Sequence, residues 1–579
     1  MKKSGLRLIL ALITLLCATG TKAAGSAWPA NYEGVMLQGF YWDSYSDTKW
    51  TSLTAQADEL SSYFKLIWVP NSGYCGGHNN MGYMPIYWFT NHNSSFGTES
   101  ELLDFIKTYK ENGTGIIADV VVNHRNGVSN WTNFPTEEWN GTKWSIGPEG
   151  ICSDDEVRNA SGQTKPTGAP DTGDNFDGAR DLDHTNANVQ NNIKNYCKCL
   201  LEKYGYTGFR YDMVKGYGGQ YIKIYNEYAA PLFSVGEYWD GNYDAVKAWI
   251  DATGKQSAAF DFPFKYACND AFKTNDMTKL VWKANGTVNQ PAGMIHYGYA
   301  QYAVTFIDNH DTYRDDNKFS GNVVAANAFM LCSPGTPCVF LPHYKGYKSA
   351  IQTLINIRNS VGIHNMSAVK VLKSSRDCYL AEVTGSKGKL VVRIGTSADT
   401  PSDYTDADIK VSGNGYCIWT KTEIQGGTTG GSLTDYNIYF DNTTSKWNNV
   451  YAYVYGNFKD DALGSWPGMK MEKDNASGYF KLSVSADLDG CYIIFTNNSG
   501  QQTGDGVAVV NSGIYKFNGQ KVAAGVYTGR NYNSGISDIE TTDPEAAIYY
   551  TLQGTRVDTP RRGVYIRVDG SRATKVFVE

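Results

Sequence analysis

Residues 208–216 read GFRYDMVKG, a short apolar run that ends in an acid, Asp212, two residues after a cation, Arg210. Side chains two positions apart on a strand share one face, so Arg210 can favour the ionised form of Asp212. Three other short runs also carry acids or histidines at or near their ends: DVVVNH (119–124), VGEYW (235–239) and FIDNHD (306–311). Functional groups at the carboxyl ends of successive strands are typical of (β/α)8 barrels.

The surrounding sequence predicts that barrel, an α/β fold. Amphipathic stretches such as 99–112 and 188–204 alternate with short apolar runs, as expected when each strand is followed by a helix. One connection, at about 125–180, is rich in Gly, Asn, Asp and Thr and predicts an irregular inserted subdomain, domain B, after strand 3. The candidate strands are 35–42, 65–70, 115–123, 208–214, 233–238, 258–262, 303–309 and 337–341.

The 579-residue chain is long enough for several domains. We assign residues 24–362 to the barrel with its insertion and residues 363–421 to a C-terminal antiparallel β domain. A linker at 422–434, which contains GGTTGGS, precedes a β-sandwich module at 435–530. Residues 531–579 form a C-terminal tail of short predicted strands.

The N-terminus predicts export. Lys2, Lys3 and Arg7 precede an apolar run, Leu8–Leu16, and the small-residue site Thr21-Lys22-Ala23. This order is typical of a cleaved signal peptide over residues 1–23. The apolar run is too short to span a bilayer, and no later run is long enough either. A net charge of −6 argues against a nucleic-acid partner, and we expect a monomer.

Ten of the 11 cysteines follow the signal peptide, and the sequence does not determine their pairing. Cys197-x-Cys199 lacks a second Cys or His pair at zinc spacing. We therefore expect buried thiols there rather than a metal site.

Three acids in these strand-end motifs are the candidate catalytic residues: Asp212, Glu237 and Asp311. Glycoside hydrolysis needs one carboxylate as nucleophile and one carboxylic acid as proton donor on either side of the scissile bond. A single acid is usually only a solvated surface group. Acids at the ends of four predicted barrel strands are difficult to attribute to chance.

The four motifs, in this order, resemble those of the α-amylase family of glycoside hydrolases, family 13, and especially its plant and archaeal members. The resemblance extends over about residues 35–420. It includes GYMPIYW (82–88), APDTGDNFDGARDLDH (169–184), SPGTPCVF (333–340) and IRNSVGIHN (357–365).

The resemblance implies a role for each acid in endo-acting hydrolysis of α-1,4-glucosidic bonds in starch with retention of configuration. Asp212 would form the covalent glycosyl-enzyme, Glu237 would act as acid and then base, and Asp311 would bind sugar hydroxyls. The substrate-binding residues would be Tyr83, His124, Arg210, Lys215 and His310. The same acids serve exo-acting and transglycosylating relatives, so those activities stay open, whereas a non-catalytic starch-binding protein should have lost one or more of them.

The resemblance also implies a structural calcium ion, Ca2+, between domain B and the barrel. An isolated Asp-rich loop is more often a turn stabilised by its own side chains. By resemblance, the ligands would be Asn123, Asp171, Asp181 and the carbonyl groups of Asp174 and Gly216. Gly216 is typical of the plant-type branch, where many other relatives have His. Arg180 stands where relatives often have Pro, and we expect only a local change in the loop there.

The module at 435–530 contains the run YAYVY (451–455) followed by SWPG (465–468). Alternation places Tyr451, Tyr453 and Tyr455 on one strand face, and spacing alone favours a sandwich core. However, YAY followed by WPG resembles starch-binding modules of family 26. This resemblance implies that Tyr451, Tyr453 and Trp466 bind α-glucan.

The tail contains YTLQGTRV (550–557) and GVYI (563–566) and resembles sorting domains of the bacterial type IX secretion route. A last hairpin of the preceding module is the alternative. The sorting interpretation implies release or surface attachment after export.

Overall fold

The computed structural model describes residues 28–425, apart from positions 78, 285, 297 and 315, and most of residues 436–517. Beyond residue 517 it describes only the backbone of short strands within 527–578. The predicted signal peptide lies outside the described residues, as does the GGTTGGS part of the linker.

Eight parallel strands close into a barrel in which each strand pairs with its neighbours in sequence and β1 pairs with β8. The predicted (β/α)8 fold is therefore confirmed. Nearly every strand residue is buried, which explains why the strands are apolar rather than alternating. The strands are β1 Met36–Gln38, β2 Leu66–Val69, β3 Gly115–Val120, β4 Gly208–Tyr211, β5 Phe233–Gly236, β6 Ala258–Phe260, β7 Ala303–Phe306 and β8 Thr336–Phe340.

Most strands end earlier than the sequence predicts. The apolar pattern of the fourth strand continues to Val214, for example, but strand pairing stops at Tyr211. Asp212 and Glu237 therefore follow directly after β4 and β5, on loops at the carboxyl end of the barrel. This is the end at which barrel enzymes carry their active sites.

Helices surround the barrel, and local sequence determines where several of them begin. Helix Glu99–Glu111 starts at Thr98, whose hydroxyl accepts from the Glu101 backbone N–H while the Glu101 carboxylate accepts from Thr98 N–H. This reciprocal capping satisfies two donors that the first helical turn leaves unpaired. The other α-helices are Trp50–Thr54, Ala57–Tyr63, Ala187–Cys199, Gly219–Ala229, Tyr243–Ala252, Phe262–Thr274, Val323–Leu331, Leu341–Gly346 and Lys348–Val361.

Domain B is built from short pieces, as its composition predicts. Strand His124–Arg125 pairs with Arg180–Asp181, and Glu137–Trp139 pairs with Thr142–Trp144. Arg125 anchors the insertion: its buried guanidinium lies 2.6 Å from Glu137 and over the Trp88 ring. The pair formed by His124–Arg125 and Arg180–Asp181 joins the start of domain B to its end, directly beside the barrel mouth.

Four further sheets follow the barrel. One antiparallel sheet comprises Ala368–Ser375, Cys378–Thr384, Lys389–Ile394, Ile409–Gly413 and Tyr416–Trp419. Two sheets form the module: Tyr436–Asp441, Glu472–Lys473, Phe480–Val484, Gly513–Lys516 and Tyr527–Thr528 in one, Tyr451–Tyr455, Met469–Lys470, Tyr492–Thr496 and Val507–Ala508 in the other. The tail strands Ile548–Tyr550, Arg556–Val557, Gly563–Asp569 and Arg572–Val578 form a sheet of their own rather than extending the module.

Cys197 and Cys199 are free thiols and fully buried, as predicted. Among the helices that the structure describes, each is too short or too polar to cross a membrane.

Candidate active site

Arg210 lies at the centre of the site and is fully buried. Its Nη1 donates to Asp212 Oδ1 at 2.6 Å and to Asp119 Oδ1 at 2.8 Å, and its Nη2 lies 2.6 Å from Glu237 Oε1. One planar guanidinium thus holds carboxylates from three neighbouring strand ends in fixed relative positions. The predicted Arg210–Asp212 pairing is present.

Glu237 has the environment of a proton donor. It is 7% exposed, and its Oε2 accepts the backbone N–H of Met213 at 3.0 Å. Burial, together with the charges of Asp212 and Asp311, outweighs the attraction of Arg210 and raises the pKa of Glu237 to about 8. A carboxylic acid with such a pKa still holds its proton at neutral pH.

Asp311 completes the group of acids on the loop after β7. Its Oδ1 accepts from Arg314 Nη2 at 3.0 Å, and its Oδ2 lies 3.2 Å from His310 Nε2. Burial raises the pKa of Asp311. The pKa of His310 is held well below its usual value, first by burial and then by the nearby Arg210 charge, so the ring is neutral.

Asp119 is a fourth buried acid in the same network, and it was not among the predicted site residues. Its Oδ1 accepts from Arg210, and its Oδ2 accepts from Trp68 Nε1 at 3.1 Å and Tyr83 OH at 2.9 Å. Burial raises the pKa of Asp119 to about 7. Its position at the end of β3 in the DVVVNH motif is the signal that could have identified it.

Aromatic rings line one side of the acids. Tyr83 stacks on His310 with ring centroids 5.3 Å apart, and Trp42 stacks parallel to Tyr83 at 6.0 Å. His124 is buried, and its Nε2 lies 2.7 Å from the Tyr83 carbonyl oxygen. Trp42 is a further residue that the motifs did not indicate.

Lys215 lies at the more exposed edge of the site. Its ammonium pairs with Asp240 at 3.0 Å, with both side chains 29% exposed. The structure therefore brings together Tyr83, Arg210 and His310 with the three acids, places His124 behind Tyr83, and leaves Lys215 at the rim.

The predicted calcium ligands converge where domain B meets the barrel. Asn123 Nδ2 donates to Asp181 Oδ1 at 3.0 Å, and Asp174 N–H donates to the Lys215 carbonyl at 2.9 Å. A Cβ at Gly216 would lie 1.9 Å from Asn123 Oδ1, so with a side chain at this position Asn123 would have to move. Among the described residues, no group of three or more His, Cys, Asp or Glu side chains is arranged to hold a metal, so any ion here would depend on amide and carbonyl oxygens.

Two acids in this group have properties that fit a cation. Asp171 Oδ2 is buried and has no hydrogen-bond partner among the described residues. Burial, and then the charges of Asp171, Asp155 and Glu156, raise the pKa of Asp181 to about 8. Buried oxygens that repel one another are the kind of donors that Ca2+ would stabilise.

The module carries an exposed aromatic face. In strand Tyr451–Tyr455 the residues between the tyrosines, Ala452 and Val454, are buried in the sandwich, so the tyrosines face outward. Trp466 is 46% exposed and meets Tyr453 edge to face at 5.5 Å. Spacing alone was therefore wrong in favouring a core role for the tyrosines, because small Ala452 and branched Val454 fill the core instead.

Three family models match the chain. An α-amylase catalytic domain matches residues 173–377, an α-amylase C-terminal β-sheet domain matches residues 360–420, and starch-binding module 26 matches residues 438–507. The matched segments correspond to the second half of the barrel, the antiparallel sheet and the sandwich module.

Comparisons with whole proteins agree with the family-model matches. Over 409 residues the chain is 31% identical to probable α-amylase 2 of Arabidopsis thaliana, an alignment covering 67% of this chain and 94% of the relative. It is 32% identical to α-amylase 3, chloroplastic, of the same plant, where the alignment covers 66% of this chain but only 44% of that longer relative. A cyclomaltodextrin glucanotransferase structure shares the fold, with a TM-score of 0.50 and 17% identity over 68% of this chain and all of that one. The chain belongs to the α-amylase family of glycoside hydrolases.

Proposed function

We propose that this protein is an endo-acting α-amylase that cleaves α-1,4-glucosidic bonds of starch with retention of configuration. The observation that carries the proposal is the Arg210 guanidinium, which holds Asp212 and Glu237 at 2.6 Å from its two terminal nitrogens. Two carboxylates held by one guanidinium favour the short separation of retaining enzymes, about 5–5.5 Å, over the wider spacing that admits a water molecule.

Asp212 and Glu237 have different roles in the reaction. Asp212 attacks the anomeric carbon as Glu237 protonates the glycosidic oxygen, so the carbon–oxygen bond to the leaving chain breaks while a bond to Asp212 forms. Glu237, now ionised, removes a proton from water, and the resulting hydroxide displaces Asp212. The raised pKa of Glu237 suits the first step, because the group must begin protonated.

The other side chains position the sugar. Asp311 and His310 hydrogen-bond hydroxyl groups of the ring being cleaved, and Tyr83 provides a flat apolar surface below it. His310 donates or accepts as a neutral ring, since Arg210 and burial disfavour its charged form. His124 and Lys215 contact the sugar from the domain B side and the rim.

A time course of products tests the endo mode. With soluble starch, an endo enzyme is expected to lower iodine staining before much reducing sugar appears, because each internal cut shortens chains strongly. Early products should span several lengths. Accumulation of one short product from the start would favour an exo-acting enzyme, and products longer than a defined maltooligosaccharide substrate would indicate transglycosylation.

We further propose that one Ca2+ joins domain B to the barrel. Asn123, Asp171 and Asp181 would bind it through side chains, and Asp174 and Gly216 through their carbonyl groups. When bound, the ion would neutralise the clustered acids and hold together two segments that carry His124 and Lys215.

Calcium removal is expected to lower the thermal stability of the whole chain. A ligand that binds only the folded state stabilises it by mass action, so a chelator should lower Tm by about 5 °C or more. Asp171→Asn should lower Tm in calcium and reduce the response to chelator. Asp104→Asn, at an exposed helix position, is the matched control and should behave like the unmodified chain. An unchanged Tm in chelator would contradict the calcium proposal.

The module would retain the enzyme on starch. Tyr451, Tyr453 and Trp466 would stack on glucose rings, and linkage to the barrel would raise the local substrate concentration. Export through a signal peptide, with release or surface attachment directed by the C-terminal tail, is consistent with a polymeric substrate outside the cell.

A further inference from the structure

A second exposed tryptophan lies in domain B, beside the proposed active site. Trp131 is 42% exposed, and the Arg180 guanidinium lies over one of its faces at 4.4 Å from the ring centroid. A cavity of about 380 Å3 adjoins it, lined by Asn126, Val128, Trp131, Asp177 and Arg180 together with neighbouring backbone. We call these five residues the Trp131 shelf.

Arg180 supports the Trp131 ring from one face. It is only 3% exposed, its Nη1 pairs with Asp155 at 3.2 Å, and its Nη2 pairs with Glu156. Its Nε has no hydrogen-bond partner among the described residues although it is buried. This N–H is buried behind the ring rather than open to a ligand, and the two ion pairs fix the guanidinium against one face of Trp131, which leaves the opposite face for binding.

The loop that presents Trp131 is closed by its own hydrogen bonds. Asn133 Oδ1 accepts the backbone N–H groups of Ser129 and Asn130, and Asn130 Oδ1 accepts those of Thr132 and Asn133. A Cβ at Gly127 would lie 1.9 Å from the Asn130 carbonyl oxygen, so only glycine fits this turn. The open face of Trp131 is therefore held outward by backbone structure rather than exposed by chance.

Two backbone connections link the shelf to the proposed substrate site. Asn126 N–H donates to the Pro85 carbonyl at 3.0 Å, two residues from Tyr83. On the other side, Asp177 follows Phe176, whose ring stacks on His124 at 4.0 Å. The shelf therefore lies next to the segments that carry Tyr83 and His124, on the side toward which a long chain bound over Tyr83 can extend.

We propose that the Trp131 shelf binds a glucose unit of the same α-1,4-glucan chain, several units away from the bond that is cleaved. The apolar face of the sugar stacks on the face of Trp131 opposite Arg180, and its hydroxyls bond Asn126 and Asp177 beside the ring. The inference rests on the proposed function for the identity of the ligand. The shelf selects long substrates, because short ones end before reaching it.

Kinetics on two substrate lengths test the shelf. For Trp131→Ala, the ratio of kcat/KM for maltoheptaose to that for maltotetraose should fall about three- to tenfold, mainly through KM. Trp131→Tyr should restore most of the ratio, since a smaller ring still stacks. Tyr228→Ala, at another aromatic that is 45% exposed and lies near two lysines on the outer barrel, is the matched control and should leave the ratio unchanged.

Binding without turnover separates this inference from the proposed function. In a chain carrying Glu237→Gln and Trp466→Ala, adding Trp131→Ala should weaken maltoheptaose binding by the same three- to tenfold in calorimetry. An unchanged length ratio and unchanged binding would overturn the shelf, as would equal losses on both substrates accompanied by a lower Tm. Absence of any hydrolysis by the unmodified chain would overturn the proposed function but leave this binding result interpretable.

Discussion

Replacing Glu237 with Gln is expected to lower kcat on soluble starch by about 10²- to 10⁴-fold, the usual contribution of a positioned acid–base group. Gln is close in size and keeps an oxygen that can accept from Met213 N–H, but it cannot donate a proton to the glycosidic oxygen. A substrate whose leaving group needs no proton, such as α-maltosyl fluoride, should recover the first step, and azide, which needs no general base, should recover the second step by displacing Asp212 in place of water. Full activity of Glu237→Gln on starch would refute the assignment.

The pH dependence gives a second measure of the same residue. The acid must be protonated, so kcat/KM of the unmodified chain should fall as the pH rises past about 8, the pKa to which burial raises Glu237. The free energy of unfolding should also fall as the pH rises. Between pH 4.5, the ordinary pKa of a Glu, and about pH 8, Glu237 holds a proton in the folded chain that it releases in the unfolded chain. Glu237 therefore makes folding less favourable as pH rises through that window, and Glu237→Gln should reduce this slope.

Much of the fold could be predicted because its determinants are local. Each barrel strand is a short apolar run, and all eight candidates contain an observed strand or most of one. The strand ends were less predictable, since apolar residues such as Met213 and Val214 still follow Tyr211 although strand pairing has already stopped there. Pairing depends on neighbouring strands that the local sequence does not specify.

In the site, too, some residues could be recognised from local sequence, and others only from contacts with distant parts of the chain. Asp212 could be recognised from Arg210 two residues earlier, whereas the importance of Asp119 depends on contacts with Trp68, Tyr83 and Arg210, which come from separate strands and loops. The Trp131 shelf was missed for a similar reason. Its partner, Arg180, is distant in sequence and meets it only because the two ends of domain B pair as strands.

Removal of Arg210 is expected to damage both stability and activity. Arg210→Met leaves Asp119, Asp212 and Glu237 buried without their shared cation, and breaking a buried ion pair in this way costs about 3–5 kcal/mol. The nucleophile Asp212 also loses the partner that fixes its position relative to Glu237, so kcat should fall by at least about 10²-fold. Urea denaturation and initial rates on soluble starch measure the two effects.

Arg210→Lys separates geometry from charge. Lysine restores one positive charge, so most of the lost stability should return, but its single ammonium cannot hold Asp212 and Glu237 at the fixed separation that two guanidinium nitrogens impose. Its kcat should therefore stay low while its free energy of unfolding recovers. The loss in Arg210→Met should also shrink near pH 5, where the orphaned acids can take up protons. A lysine variant with nearly full activity would show that charge alone suffices and that the two-nitrogen clamp is not required.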